Sequence, residues 1–222
     1  MNRACFFDVD GTLTRTSLMS AMGYYLMNQT NPLFSAFRIA KELVRSPQLA
    51  VAEVLDRGLF NEKLFMAFAG MSEDRLHVVG DEVVDRVMVP NLFKGARGLI
   101  EECRKSNMTP VLISGSLDIL VKKLGARLGV FEDDCFGNRL EFLRNVATGR
   151  VLPPILAGPA KAALIRRLAT ERNYDLNQCF AYSDDTADAP MLSVVGHPAA
   201  VNPKPRLRAM AQSQRWPIIE LG

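Results

Sequence analysis

Short runs of wholly apolar residues alternate with longer stretches in which apolar positions recur every three or four residues, which is the rhythm of β-α-β units. Ala4–Val9 is a short apolar run rich in aromatics that leads into acids and Gly11, and Thr109–Ser114 ends the same way at Gly115. Gln178–Ser183 closes on two aspartates, and Ala199–Val201 and Ile218–Ile219 are weaker strand candidates. Runs that are apolar along their whole length suit strands buried on both faces, as in a parallel sheet. Helical spacing fills the intervals: Ala96, Leu99, Ile100 and Cys103 within Leu92–Ser106, and Leu117, Leu120, Val121, Leu124 and Leu128 in the next stretch. Gly158-Pro159 opens a helix through Leu168, and Asn202-Pro203 reads as the cap and first residue of another. Arg139–Leu143 and Arg150–Leu152, joined by Asn145–Gly149, fit a hairpin beside the sheet.

From about Thr14 to Val89 the rhythm is helical only. Leu33, Phe37, Ala40 and Val44 form one stripe and Val51, Leu55 and Leu59 another, punctuated by Pro32, Pro47, Gly58 and Gly70. The chain therefore divides into an α/β core formed by residues 1–13 and 90–222 and a helical insertion over residues 14–89. The expected fold is a Rossmann-like parallel sheet with helices on both faces and an inserted all-helical unit. A length of 222 residues, 48% of them hydrophobic, is enough for one such core plus an insertion.

Charge changes this picture little: a net charge of +3 does not point to nucleic acid. The chain has no apolar run long enough for a stable membrane insertion, and two acids stand in MNRACFFDVDGT where a secretion signal needs an apolar stretch. The four cysteines are far apart in sequence, so zinc and redox spacings fail, and reduced thiols in a cytoplasmic protein are expected.

Polar residues gathered at the carboxyl ends of such strands are where open α/β sheets bind ligands. Asp8-Val9-Asp10-Gly11-Thr12 ends the first run, and alternate residues of an extended segment point the same way, which starts both carboxylates on one face. A strand-end turn with two solvated acids is also open to DxDGT alone, although a buried strand ending in paired carboxylates is costly without a cation. Ser114-Gly115-Ser116 suits phosphate oxygens at a helix N-terminus, or simply a helix cap. Lys161 lies near a helix start, where a lysine is ordinarily a solvated surface group. Asp184, Asp185 and Asp188 follow the third run and either cap the short helix carrying Met191 and Leu192 or join Asp8 and Asp10 in a cluster that a hard divalent cation would neutralise. His77 and His197 have no second ligand at metal spacing, and Lys204, Arg206, Arg208 and Arg215 read as a solvated helix face.

Taken in order, DVDGT, SGS, a helix-borne lysine and SDDTADAPML resemble the four motifs of the haloacid-dehalogenase superfamily, in its branch similar to phosphoserine phosphatases, over nearly the whole chain. The resemblance implies a phosphomonoester hydrolase acting on a small phosphorylated metabolite through an aspartyl-phosphate. Asp8 would be the nucleophile and Asp10 the acid and base. Mg²⁺ would be held by the carboxylates of Asp8 and Asp184 and the carbonyl of Asp10. Ser114, Gly115 and Lys161 would bind the phosphoryl group, with Thr12 and Asp188 supporting from behind. Related ion transporters have threonine at the Asp10 position, and dehalogenating members lack this aspartate. Response-regulator receivers also phosphorylate an aspartate, but their lysine comes last in the chain.

The insertion is similar to the cap that selects the leaving group in this family. The same residues would serve phosphotransfer to another acceptor, or a non-catalytic regulatory member. Three departures stand out. Ser183 precedes Asp184 where the family often has glycine, and Ala187 replaces a frequent asparagine. No acid occurs in Leu13–Leu18, where phosphoserine phosphatases usually carry a glutamate for the substrate ammonium, which disfavours phosphoserine. Arg15 and Arg57 are candidates for meeting an anionic substrate.

Overall fold

A computed structural model describes residues 2–27, 61–62 and 64–222. The stripes through Leu33, Phe37, Ala40, Val44, Val51, Leu55 and Leu59, and Arg57 with them, lie outside the described residues.

Seven strands form one sheet: β1 (Ala4–Phe7), β2 (Thr109–Leu117), β3 (Cys135–Leu143), β4 (Val146–Leu152), β5 (Phe180–Ser183), β6 (His197–Val201) and β7 (Ile218–Ile219). Their order is β4-β3-β2-β1-β5-β6-β7. All neighbours are parallel except the β3–β4 hairpin. β1 lies between β2 and β5, with Phe7 in register with Leu112 on one side and Tyr182 on the other. The carboxyl ends of these three strands carry Asp8 and Asp10, Ser114 and Gly115, and Asp184.

Both faces of the sheet are covered, as the apolar runs require. Cys5 and Phe7 point into one core and Ala4 and Phe6 into the other, and Leu112 alternates in the same way with Val111 and Ile113. The first core takes α3 (Ala96–Lys105) and α4 (Asp118–Arg127), through Ile100, Cys103, Leu120 and Leu124. The second takes α5 (Pro159–Arg172), α6 (Ala189–Leu192) and α7 (Pro205–Gln214), through Ile165, Leu168, Met191 and Leu207. Burying one Leu- or Ile-sized side chain contributes about 1.5–3 kcal/mol, so these interdigitated rows hold the strand ends in fixed register.

Within the insertion, α1 (Leu18–Met27) and α2 (Glu73–Val83) are helical, and the path continues through a π-helical turn, Val84–Met88, and a 3₁₀ turn, Val89–Asn91. Ser72 caps α2 by accepting from the Arg75 N–H. Leu18, Met22, Tyr25, Phe68, Leu76 and Val79 join the first core, and the Tyr25 hydroxyl donates to the Leu76 carbonyl at 2.8 Å. Most of the apolar residues of α1 are therefore packing residues, while Met19 and Met27 stay exposed.

Several boundaries differ from expectation. β2 runs on to Leu117 and α4 begins at Asp118, so Ser114 does not cap that helix and Leu117, its N-cap residue, supplies no side-chain bond. The proline that opens α7 is Pro205, not Pro203. The hairpin turns at Arg144-Asn145, both with positive φ (51° and 61°), and Gly149 lies inside β4, where its φ of +84° and the close approach of Met66 and Ala69 exclude a side chain. Among the described residues no helix is long and apolar enough to cross a membrane. All four cysteines are buried as free thiols.

Candidate active site

β1 ends one residue before Asp8, whose N–H still donates to the Tyr182 carbonyl of β5 at 3.0 Å. The chain then closes a tight turn in which the N–H groups of Thr12, Leu13 and Thr14 all point at the Val9 carbonyl. Gly11 makes the turn possible. Its φ is +86°, and a Cβ there would lie 2.4 Å from Asp184 Oδ2. Asp8 and Asp184 are thereby brought together, with the Thr12 hydroxyl between them at 3.1 Å from Asp8 Oδ2 and 3.3 Å from Asp184 Oδ1.

Lys161 enters from the first turn of α5, where the helix dipole disfavours a cation. It is nonetheless only 4% exposed. Two carboxylates hold it: Nζ lies 2.6 Å from Asp8 Oδ1 and 2.8 Å from Asp188 Oδ2. Burial pulls its pKa down, but Asp188 and Asp8 outweigh that and keep it above the ordinary lysine value, so it is charged. Ser183 adds a hydrogen bond to Asp188 Oδ2 at 2.8 Å.

Asp10 occupies a separate polar niche. Its Oδ2 accepts from Ser116 Oγ at 2.7 Å and Ser114 Oγ at 3.0 Å, and the Thr16 hydroxyl lies 3.5 Å from Oδ1. Burial raises the Asp10 pKa, with the Ser116 and Ser114 hydrogen bonds opposing the shift. Asp8 is pushed up to about 7, chiefly by burial and further by Asp188 and Asp184, while Lys161 opposes it. Asp184 is raised by burial against the pull of Lys204.

All the sequence-derived site residues, Asp8, Asp10, Thr12, Ser114, Gly115, Lys161, Asp184 and Asp188, meet at the carboxyl ends of β2, β1 and β5. Asp8, Asp10, Gly115, Lys161, Asp184 and Asp188 line a pocket of about 320 Å³, together with Arg15, Thr16, Ser17, Leu18, Met19 and Asn61. The Arg15 guanidinium stacks on the Phe93 ring, 4.5 Å from its centroid. His197 stacks on Phe180 and His77 is exposed, both away from this pocket. Sequence reasoning missed Ser116, Thr16, Ser183, Lys204 and Asn61. Lys204 is exposed, as expected, but also ion-paired: Nζ lies 2.6 Å from Asp185 Oδ2 and 3.2 Å from Asp184 Oδ2. Ser116 had a signal, since on a strand that continues past Gly115 it shares a face with Ser114.

The site's donors fit a hard cation. Five acids (Asp8, Asp10, Asp184, Asp185 and Asp188) face two lysines (Lys161 and Lys204) in a largely buried volume. The oxygens of Asp8 and Asp184 approach one another across the Thr12 hydroxyl, and the Asp184 carboxylate sits against Gly11, where a Cβ would exclude it. Among the described residues no three carboxylate, imidazole or thiol side chains form a metal-holding group by themselves, so two carboxylates would need a backbone oxygen and water to complete a shell.

The family model for haloacid dehalogenase-like hydrolases matches residues 5–193. The chain is 30% identical over 221 residues to a Mycobacterium tuberculosis protein named phosphoserine phosphatase SerB1, spanning 98% of this chain and 70% of that one. Its fold is similar to a Bordetella pertussis protein of unknown function (TM-score 0.84, 21% identity, all of both chains). It is also similar to a phosphoserine phosphatase solved as a phospho-aspartyl intermediate analogue (TM-score 0.72, 20% identity, 100% of this chain and 94% of that one). With a match spanning most of its length and the paired strand-end carboxylates in place, the chain belongs to the haloacid dehalogenase-like hydrolase family, as a phosphatase-type enzyme.

Proposed function

We propose that this protein is a Mg²⁺-dependent phosphomonoester hydrolase that acts on a small phosphorylated metabolite through a phosphate ester of Asp8. The observation that carries the reading is the division of labour between two carboxylates two residues apart. Asp8 is ion-paired to a buried lysine, whereas Asp10 is held by the hydroxyls of Ser114 and Ser116 with no cation bonded to it. One is suited to attack and the other to carry a proton.

In the first half-reaction a carboxylate oxygen of Asp8 bonds to phosphorus as the bond to the leaving oxygen breaks, and the Asp10 carboxyl gives its proton to that oxygen. In the second, Asp10 takes a proton from water while the water oxygen bonds to phosphorus. The Asp8–phosphorus bond breaks, inorganic phosphate forms and the Asp8 carboxylate returns. Lys161, Ser114 and the Gly115 backbone cradle the phosphoryl oxygens, and Asp188 and Ser183 hold Lys161 in place. Asp8, Asp184 and the Asp10 carbonyl are the groups that would hold Mg²⁺. When bound, the ion supplies positive charge to the phosphoryl oxygens and keeps Asp8 ionised.

Residues 14–89, to which α1 and α2 belong, act in this reading as a cap that shields the site from water and selects the leaving group. The absence of an acid in Leu13–Leu18 argues against phosphoserine as the substrate.

The test is phosphate release from a generic aryl phosphate with and without Mg²⁺. Release by the wild type that requires the metal and falls by at least about a thousandfold in Asp8→Asn is the expected result. Metal-independent release, or release that survives Asp8→Asn, contradicts the reading.

A further inference from the structure

One polar side chain in the pocket has no task in the mechanism. Asn61 is 5% exposed and lines the cavity, yet among the described residues its carboxamide has no hydrogen-bond partner. It sits against the backbone of Gly115: a Cβ on that glycine would lie 2.8 Å from Asn61 Nδ2. An amide buried without partners is costly, because both its N–H donors and its carbonyl acceptor have given up water. A site that keeps such a group beside the reacting centre is arranged for a ligand to complete it.

We propose that Asn61 is a specificity-determining residue that binds a hydroxyl-bearing leaving group, so that the preferred substrates are phosphate monoesters of polyols or sugars. The proposal rests on the phosphatase reading above and specifies its substrate class. Hydroxyls both donate and accept, so they satisfy the two ends of a carboxamide. A carboxylate would pair with Nδ2 but leave Oδ1 facing an acceptor, and an ammonium would leave the N–H donors unmet. An ammonium would also have to compete for acids already engaged: Lys161 holds Asp8 and Asp188, the Ser114 and Ser116 hydroxyls bond Asp10, and Lys204 pairs with Asp184 and Asp185.

The experiment compares a hexose or glycerol phosphate, an aryl phosphate and phosphoserine as substrates of the wild type, Asn61→Leu and Asn61→Gln in the presence of Mg²⁺. It adds the thermal shift produced by hexose phosphate in Asp8→Asn and in Asp8→Asn/Asn61→Leu. The expected result is a wild-type preference for the hydroxylated ester. Asn61→Leu should cut kcat/KM for that ester at least about tenfold more than for the aryl ester. Asn61→Gln should recover part of the loss. The melting temperature of ligand-free Asn61→Leu should equal or exceed that of the wild type, since an unpartnered amide is removed. Equal losses on all substrates, a preference for phosphoserine, or a clear drop in ligand-free melting temperature overturns the proposal. If no ester is hydrolysed but hexose phosphate stabilises Asp8→Asn through Asn61, the phosphatase reading fails and the binding proposal stands. No such stabilisation overturns the proposal whatever the turnover.

Discussion

Ser183 and Asp10 show how single positions set the chemistry. Ser183 is fully buried and donates to the same Asp188 oxygen that holds Lys161. It thereby gives Asp188 an anchor at the position where the family often has glycine, in a chain whose Ala187 can supply none. Ser183→Ala should therefore lower kcat by about tenfold with KM little changed, because Lys161 loses orientation rather than charge. A parallel fall in melting temperature without any effect on kcat would assign Ser183 to packing alone.

Asp10 gives a pH prediction. Burial raises its folded pKa above the ordinary carboxylate value, so the folded state binds this proton more tightly than the unfolded chain. That contribution to stability is complete below the unfolded value, about 4, and is lost as pH rises through the folded one. Metal-free Asp10→Asn should hence melt above the wild type at neutral and alkaline pH, with the difference shrinking as pH falls toward about 4. Melting curves in chelator across that range check the sign. Both aspartates of DVDGT were legible in the sequence because they stand just past the end of a wholly apolar run, although a turn rather than strand alternation sets their positions. Ser183 and Asn61 were not, since a buried serine's partner and an amide's lack of one depend on residues far away in the chain.

At the level of elements, three parallel strands ending side by side do the assembling. Their wholly apolar runs were readable, and the two-sided burial of Ala4, Cys5, Phe6 and Phe7 is the physical reason. What could not be read was where β2 stops. Ser114-Gly115-Ser116 has turn-like composition and lies where the register with β3 shifts, between the Ile113–Phe136 and Leu117–Asn138 pairs, so the strand continues to Leu117 instead of ending at Gly115. That extension aims Ser114 and Ser116 together at Asp10. The opening of α7 was missed for a related reason: Pro203 and Pro205 both satisfy a first-turn pattern, and the choice is made by the chain's return to Asp184, whose carbonyl accepts from the Lys204 N–H.

The turn after β1 offers the sharpest test at this scale. Gly11→Ala forces a side chain into a positive-φ position and against the Asp184 carboxylate. It should destabilise the protein by about 1–3 kcal/mol and abolish measurable Mg²⁺ binding. A variant that folds with unchanged metal affinity would show that Asp184 does not need its present position.

For the molecule as a whole, the governing feature is an excess of buried carboxylate that the fold's lysines do not balance. The two cores fix the strands that hold these acids, α1 and α2 share the first core with the sheet, and Leu18 and Met19 of α1 reach the pocket. The excess predicts that a divalent cation stabilises the folded state. At about 100 times its dissociation constant, Mg²⁺ should add about 2.7 kcal/mol, seen as a rise in melting temperature that a chelator reverses and that Asp184→Asn removes. An unchanged melting temperature at saturating Mg²⁺ would argue against a resident cation.

The α/β layering and four ordered motifs carried most of this organisation in the sequence. The substrate was not among what could be read, because it depends on side chains such as Asn61 that belong to no motif.

The central claim is that phosphate passes through Asp8, and rapid acid quenching of a single turnover followed by peptide mapping addresses it most directly. Phosphate should appear transiently on the peptide containing Asp8, be released by hydroxylamine as an acyl phosphate is, and be absent from Asp8→Asn. Phosphate found on another peptide, or turnover that proceeds in Asp8→Asn at the wild-type rate, would contradict the account.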